Sequence, residues 1–234
     1  MTTSAETRLV ALLGHPVSHS LSPRMQNAAF AARGLDWAYV ACDVEPARLA
    51  DAVRGLAALG FAGANVTIPH KQAAAALCDE ADGEAVNTLL FRDGHVLGFN
   101  TDREIVAGIE SARVCLIGAG GAARALLPGL RGEVRAFSRS GAWPPDADGC
   151  DLIVNATPVR DELLVEPSAG QTVVELAYAA GAGDTALVAA ARAAGCEVVD
   201  GREALVRQGA VSFELWTGVA APVDVMRKAL GAHA

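Results

Sequence analysis

Lys71 closes the stretch GANVTIPHKQ (63–72), behind Thr67, Pro69 and His70, in a chain otherwise poor in lysine. An ammonium in that setting is either a solvated charge on the first turn of a helix or a group placed to move a proton. In the second case it also stabilises negative charge growing on a carbonyl oxygen. Polar residues gather in a pattern around this question. Ser20 and Ser22 precede or adjoin Pro23, Asn65 and Thr67 end an apolar run, Asn87 lies in AVNTLL, and Asn100 and Asp102 lie in GFNTD. Singly, each reads as a cap or turn residue: Ser22 before Pro23 is a natural N-cap, and Asp102 could cap the helix after it. Their recurrence at the ends of successive apolar runs favours a shared site. Two hydroxyls beside a helix N-terminus could hold a substrate carboxylate.

A second constellation lies in VCLIGAGGAARALL, where Gly118, Ala119, Gly120, Gly121, Ala122 and Ala123 fit G-x-G-x-x-A between an apolar run and an amphipathic one. The first glycine permits a tight turn and the second lets backbone approach a pyrophosphate. The small last residue lets helix pack on strand, so the pattern in this context points to a dinucleotide. At the end of the next apolar run, an NAD site usually has an acid for the ribose 2′-hydroxyl. Here Ser138-Arg139-Ser140 supplies a guanidinium and no carboxylate, which suits the 2′-phosphate of NADP.

The elements that must position these residues alternate short apolar runs with Ala-rich amphipathic stretches, the pattern of α/β architecture with parallel strands. Strands are expected at 8–14, 37–44, 62–66, 113–118, 133–137, 151–155, 172–177 and 196–200. Helices are expected at 22–33, near 46–59, from Pro69, from Asp102 to about Ser111, and near 122–131, 184–194, 203–216 and 222–231. Arg92-Asp93-Gly94 marks a hairpin turn between VNTLLF and HVLGFN. The helix around 103–111 is the natural joint between two strand sets. In such folds ligands bind beyond the carboxyl ends of strands, where the polar residues fall.

Composition narrows the function classes. A net charge of −8, a pI near 5.1 and the lack of any basic run argue against a nucleic-acid surface. No apolar run is long enough to span a bilayer, and the first residues lack the pattern of a signal peptide. The cysteines (Cys42, Cys78, Cys115, Cys150, Cys196) and the histidines (His15, His19, His70, His95, His233) show neither CxxC nor metal-ligand spacing, so disulfides and metal are poor readings. The expected setting is the cytoplasm, with a small-molecule substrate, no nucleic-acid or membrane partner, and a monomer or homodimer.

HSLSP, NVTIPHK, AVNTL, FNTD, IGAGGAA, NATP and LVRQGAVSFELW, in this order and at compatible spacing, together resemble the shikimate dehydrogenase family. The resemblance implies an N-terminal α/β substrate domain, residues 1–104 with a C-terminal helix of about 211–234 packing back. It implies a Rossmann-type NADP domain over 105–210 and a cleft between the two. It implies reversible reduction of 3-dehydroshikimate to shikimate by NADPH. By motif, Lys71 is similar to the family's catalytic lysine and Asp102 to its partner. Ser20 and Ser22 resemble the carboxylate site, Thr67, Asn87 and Gln208 the ligands of ring hydroxyls, and Tyr178 a further substrate contact. Gly118, Ala119, Gly120, Gly121 and Ala122 match the phosphate turn, and Ser138, Arg139 and Ser140 the adenosine-phosphate segment. Asn155, Thr157 and Leu176 resemble cofactor-wall positions, and Gly201 a position on the nicotinamide side.

The chain also departs from the family's pattern. It is short, Gly141 to Pro145 cannot continue a helix after Arg139, Trp143 stands where a second cation is usual, and Arg103 replaces a small residue beside Asp102. The alternatives are a sibling acting on quinate or an aminoshikimate, and a non-catalytic ligand-sensing homologue. Retention of both Lys71 and Asp102 counts against the last.

Overall fold

The computed structural model describes residues 3–178 and 183–231. His233 and the end of the expected C-terminal segment lie outside the described residues. The chain divides into two compact units, Met1–Thr101 with Val206–Ala234, and Asp102–Leu205.

The first unit begins β1 (Arg8–Gly14), α1 (Ser22–Ala32), β2 (Trp37–Asp43), α2 (Leu49–Ala58), β3 (Gly63–Val66) and α3 (Lys71–Ala75). It continues with β4 (Glu80–Ala81), β5 (Thr88–Arg92) and β6 (His95–Phe99). The six strands form one sheet in the order β2-β1-β3-β5-β6-β4, with β1 parallel to both β2 and β3 and β5 antiparallel to β3 and β6. Val10 to Leu13 of β1 are at most 3% exposed, because the strand is central and covered on both faces. Asp93 and Gly94 both take positive φ (53° and 80°), the backbone that a two-residue hairpin turn demands.

A 3₁₀ turn over Thr101–Ile105 carries the chain into the second unit, which holds β7 (Arg113–Ile117), α4 (Gly121–Leu126), β8 (Glu133–Phe137), β9 (Leu152–Asn155), β10 (Thr172–Glu175), α5 (Ala186–Ala193) and β11 (Glu197–Val199). All five strands are parallel, in the order β11-β10-β9-β7-β8. Counted from β7 this is the 2-1-3-4-5 order of a doubly wound sheet, whose switch point lies between β7 and β9. The crossovers from β8 to β9 and from β9 to β10 are loops without helix. Polar ties hold them: Arg135 Nη2 meets Asp146 Oδ2 at 2.5 Å, and Gln171 Nε2 donates to the Cys150 carbonyl at 2.8 Å. The Asp151 carboxylate accepts the N–H groups of Ala112 and Arg113. Then α6 (Gly201–Thr217) begins in this unit and ends in the first, where α7 (Val223–Leu230) packs on α1.

Some expected elements change form. The helix expected from Asp102 to Ser111 is only the 3₁₀ turn and a loop, because Gly108 takes φ +78° and Ile105 and Val106 turn into the core of the second unit. The helix expected from Pro69 starts at Lys71, since Thr67 to His70 close a turn of their own (His70 N to Thr67 O, 2.9 Å). That expected over 122–131 is α4 and a separate 3₁₀ turn at Leu127–Gly129, where Pro128 supplies no N–H. The two-residue β4, parallel to β6 at Leu97 and Gly98, has no apolar signature in the sequence.

Two glycines have opposite reasons for being glycine. At Gly63 a Cβ would lie 2.2 Å from the Leu89 carbonyl and 2.4 Å from Trp216 Nε1, the pair that hydrogen-bonds at 2.9 Å. At Gly55, inside α2, a Cβ meets nothing within 4 Å. Gly63→Ala is expected to destabilise by about 2–3 kcal/mol and Gly55→Ala to stabilise by about 0.5–1 kcal/mol. Urea midpoints at unchanged m-value measure both; a neutral Gly63→Ala would sink the close-approach argument.

Candidate active site

In the first unit β1 lies between β2 and β3, so the chain leaves the sheet in opposite directions from β1 and β3. The loops after these two strands are stitched together. Thr67 N donates to the Leu13 carbonyl at 2.9 Å and His15 N to the Ile68 carbonyl at 3.0 Å. Gly14 allows the approach: a Cβ there would sit 2.5 Å from Thr67 Cγ2. Ser20, Ser22, Thr67 and Lys71 all belong to the loops and helix starts that follow β1 and β3. The expected N-cap role of Ser22 is corrected. Ser22 is the first residue of α1 and buried, and Ser20 Oγ accepts its N–H at 3.2 Å. The residue before the helix is Leu21, which makes no side-chain cap, so Ser20 Oγ meets the first helical N–H from one place further out, and Pro23 sits on the first turn where its missing N–H costs nothing.

Lys71 opens α3 directly after His70, which is 1% exposed with Nε2 2.7 Å from the Val44 carbonyl. That carbonyl can only accept, so the ring carries its proton on Nε2. Behind them lies a buried polar network. Asn87 Oδ1 accepts the Thr101 N–H at 2.7 Å, while Asn87 Nδ2 donates to Thr101 Oγ1 (2.9 Å) and Gln208 Oε1 (3.2 Å). Asn65 Nδ2 donates to the Asn87 carbonyl, Thr88 Oγ1 and Ser212 Oγ, and its Oδ1 accepts from the Tyr39 hydroxyl. The fold thus brings Asn87 and Gln208 together from distant parts of the chain. Sequence reasoning missed Tyr39, Thr88, Thr101 and Ser212; for Tyr39 on β2 and Thr88 on β5 the available signal was a polar group at an inward position of an apolar strand.

In the second unit the switch point is built from the loops after β7 and β9. Gly118 has φ +124°, a backbone open to glycine, and a Cβ would lie 3.2 Å from the backbone of Ala156. Gly118 N also donates to the Phe137 carbonyl at 2.8 Å, drawing the end of β8 alongside. Gly120 precedes α4 with no side-chain cap, and its missing Cβ faces open space. That cradle over Gly118 to Ala122, with Ala119 and Gly120 exposed, fits a dinucleotide pyrophosphate.

After β8, Ser138 to Ala142 close a turn in which Ser138 and Ser140 hydroxyls meet at 3.2 Å. The turn presents an exposed Arg139, whose guanidinium lies 5.7 Å over the Trp143 ring and 4.0 Å from Glu162. At the end of β9, Asn155 Oδ1 accepts from both N–H (3.0 Å) and hydroxyl (2.7 Å) of Thr157, and Leu176 N donates to the Asn155 carbonyl. Gly201 has a packing reason: a Cβ would meet the Ala177 carbonyl at 2.5 Å and Tyr178 Cβ at 3.0 Å. Asp102, 6% exposed in the opening 3₁₀ turn, belongs to this unit, whereas Lys71 belongs to the first.

Sequence reasoning also missed Glu175, at the carboxyl end of β10 and 0% exposed. Its carboxylate accepts from Asn155 Nδ2 at 3.1 and 3.0 Å, from Ala177 N at 2.9 Å and from the Thr185 hydroxyl at 3.1 Å. Burial pushes its pKa up to about 7, against the pull of these donors. The charges at the edges of this region, Asp184, Arg192 and Asp200, pair with one another. Among the described residues there is no group of three or more His, Cys, Asp or Glu that could hold a metal ion, and no helix long and apolar enough to cross a membrane.

A parallel sheet with a glycine turn at its switch point, in a chain whose other unit gathers hydroxyls, amides and a lysine after its own central strands, defines an α/β protein of the dinucleotide-binding class. Residues 12–89 match the shikimate dehydrogenase substrate binding domain and residues 201–230 the shikimate 5′-dehydrogenase C-terminal domain. A shikimate dehydrogenase (NADP(+)) of Anaeromyxobacter dehalogenans is 42% identical over 277 aligned positions, covering 98% of both chains. That alignment is longer than the present 234 residues, so the relative carries segments this chain lacks. Among solved structures, a shikimate dehydrogenase in complex with NADP+ superposes with a TM-score of 0.88 at 33% identity, covering 98% of this chain and 96% of that one. The Thermus thermophilus enzyme in complex with NADP(H) and shikimate gives 0.83 at 31% identity, covering 96% and 98%. The chain belongs to the shikimate dehydrogenase family.

The buried Glu175 predicts a pH signature in stability. Its folded pKa of about 7 lies above the ordinary 4.5, so between these values the folded state keeps a proton that the unfolded chain has released. The stability this group contributes is full below pH 4.5 and is lost as pH rises through 7. Glu175→Gln has no such slope, so the variant is expected to gain on wild type by roughly 3 kcal/mol between about pH 4.5 and 8. Urea unfolding across that range measures it. Parallel pH–stability curves for the two proteins would refute it.

Proposed function

We propose that this chain is an NADP-dependent shikimate dehydrogenase, reducing 3-dehydroshikimate to shikimate reversibly. What carries the reading is the near-full-length match to relatives named shikimate dehydrogenase (NADP(+)). Residues 1–104 with the C-terminal 211–234 bind substrate, and 105–210 bind the dinucleotide. The bound nicotinamide supplies or takes the hydride. The chain's own residues hold the two molecules and handle one proton.

Lys71 donates that proton to the ketone oxygen as negative charge develops there, and accepts it in the reverse direction; Asp102 stands at the position of the family's acidic partner. Ser20 and Ser22 bind the substrate carboxylate. Because Ser20 Oγ already accepts the Ser22 N–H, its own proton is left to donate outward. Thr67, Asn87 and Gln208 bind ring hydroxyls, and Tyr178 adds a contact. Asn87 and Gln208 do so from a network already bonded within the protein, so little side-chain freedom is lost on binding.

Gly118, Ala119, Gly120, Gly121 and Ala122 cradle the pyrophosphate, and Asn155, Thr157, Leu176 and Gly201 wall the cofactor. Ser138, Arg139 and Ser140 take the adenosine 2′-phosphate. A cytoplasmic, reducing setting is supported by the free thiols, of which burial pushes Cys78 up to about 11 and Cys115 up to about 12.

The direct test is oxidation of NADPH with 3-dehydroshikimate, run beside quinate with NAD and with NADP. Turnover of quinate alone would move the reading to the sibling activity. Lys71→Ala is expected to lower kcat by about 10²–10⁴-fold with a much smaller change in substrate affinity. A wild-type kcat would return Lys71 to a solvated charge.

The cofactor preference rests on the single guanidinium of Arg139, with Trp143 and Glu162 as its neighbours. One charge-assisted contact is worth about ten- to a hundredfold in affinity, so NADP is preferred over NAD by about that factor. Arg139→Ala removes most of it. The measurement is kcat/KM for both cofactors at fixed ionic strength, and equal use of NAD by wild type would count against the assignment.

A further inference from the structure

We propose that Glu175 is a positioning residue for the nicotinamide dinucleotide: its carboxylate fixes the Asn155-Ala156-Thr157 turn in the form that meets the cofactor. The inference rests on the NADP-dependent reading above and names a residue that the sequence motifs leave out.

The turn lies at the switch point of the second unit, and it packs on Gly118, first glycine of the phosphate cradle, whose φ of +124° demands glycine and whose notional Cβ would lie 3.2 Å from the Ala156 backbone. Whatever sets the turn therefore sets one wall of the crevice where such sheets take their ligands. Asn155 is 1% exposed, and its amide could in principle point either way. Glu175 decides it. Both carboxylate oxygens draw on Asn155 Nδ2, which also reaches the Val159 carbonyl at 3.3 Å, so Oδ1 must face Thr157. There it accepts the Thr157 N–H and hydroxyl. Thr157 Oγ1 gives its one proton to Asn155 Oδ1 and accepts the Val159 N–H at 3.3 Å, so the loop is tied from Asn155 to Val159.

The opposite side of the carboxylate holds Ala177 N and the Thr185 hydroxyl, and Thr185 Oγ1 caps α5 through Val188 N at 3.2 Å. One buried group thus ties together the chain leaving β9, the chain leaving β10 and the start of α5. Every partner donates. A carboxylate suits that set, whereas a glutamine would turn an NH₂ toward a donor. Burying a carboxylate is a poor device for stability alone, because its desolvation offsets much of what its bonds return. A fixed crevice wall is a use that an apolar residue could not serve.

The test is calorimetric binding of NADP+ to the full chain at about pH 9, where a group with a pKa of about 7 is ionised, with amide exchange at Thr157 as a readout independent of the cofactor. Glu175→Gln is expected to weaken NADP+ binding about tenfold or more and to speed Thr157 exchange. So is Asn155→Asp. The double variant Glu175→Gln/Asn155→Asp restores the bond with its polarity reversed, the introduced amide donating to the introduced carboxylate. Recovery to within about threefold of wild-type affinity is expected, a coupling that independent sites do not show. Thr185→Val, which removes a partner of the same carboxylate and the α5 cap, is expected to lower the melting temperature yet leave NADP+ affinity within about twofold.

Wild-type affinity in Glu175→Gln overturns the proposal, as does additive loss in the double variant or an equal loss in Thr185→Val. Should Glu175→Gln not fold, comparison of the double variant with Asn155→Asp alone carries the same decision. If wild type does not bind NADP+, the cofactor reading fails and this role with it, while Thr157 exchange still shows whether Glu175 holds the turn.

Discussion

Both units depend on one constraint, the close approach of two loops across a switch point. A central parallel strand ends in a glycine, and the loop following its neighbour packs where a Cβ would otherwise be. In the first unit Gly14 ends β1 and Thr67 occupies the space, 2.5 Å from a notional Cβ. In the second, Gly118 follows β7 and Ala156 does the same at 3.2 Å. Right-handed crossovers send the chain to opposite faces from such a strand pair, so a crevice must open there, and the glycine lets its walls come together at the bottom. Backbone bonds then hold the walls: Thr67 N to Leu13 O in the first unit, Ala156 N to Ile117 O in the second. Residues that bind ligand need only be the next few in each loop.

Fixing the crevice floor leaves the polar groups behind it to be satisfied, and each unit does this with a buried network rather than with apolar packing. The Asn65–Asn87–Thr101–Gln208–Ser212 set in the first unit and the Asn155–Glu175–Thr185 set in the second are both deep in the fold. A buried hydrogen bond returns only about 1 kcal/mol net, but an orphaned partner costs about 1–3 kcal/mol. Such networks hold few alternative arrangements for that reason. They turn a loop with several accessible forms into one with a single form, which is what pre-organised binding requires.

Much of this was legible from residue order. The Gly118 turn, the hairpin at Asp93 and Gly94, and the strands from β1 to β11 apart from β4 follow from local backbone demands and hydrophobic period, both of which act over a few residues. The errors were of two kinds. The segment after Asp102 has helical composition but turns at Gly108, where burial of Ile105 and Val106 overrides propensity. Ser22 has the chemistry of an N-cap but is the first residue of α1, and its own N–H is met by Ser20 Oγ. The residues missed altogether, Tyr39, Thr88, Ser212 and Glu175, function through partners far away in sequence. No local pattern announces that Ser212 will meet Asn65, or that an acid ending VVE will face an asparagine that ends another strand.

A doubly wound sheet ordinarily buries both faces under crossover helices, yet in the second unit the chain passes from β8 to β9 and from β9 to β10 without one. The strands are nonetheless covered: Ala147, Cys150, Leu163, Leu164 and Val165 from those loops join the core formed by Cys115, Ile117, Ile153 and Val173. A loop lacks the internal hydrogen bonds of a helix, so its backbone groups need outside partners. Gln171, which bonds the Ala147 and Cys150 carbonyls, and Asp146, which pairs with Arg135 and accepts the Asp148 N–H, meet that need. Without a helix after β8, Arg139 is held by a short turn and a stack on Trp143 instead of by a helical scaffold. Glu162, from the second helix-free loop, lies within ion-pair reach of it. The guanidinium is exposed, so its contacts with Glu162 and Trp143 are both screened by solvent. Helix-free crossovers thus keep the sheet covered and the crevice floor intact, and leave the segment after β8 dependent on side-chain contacts for its form.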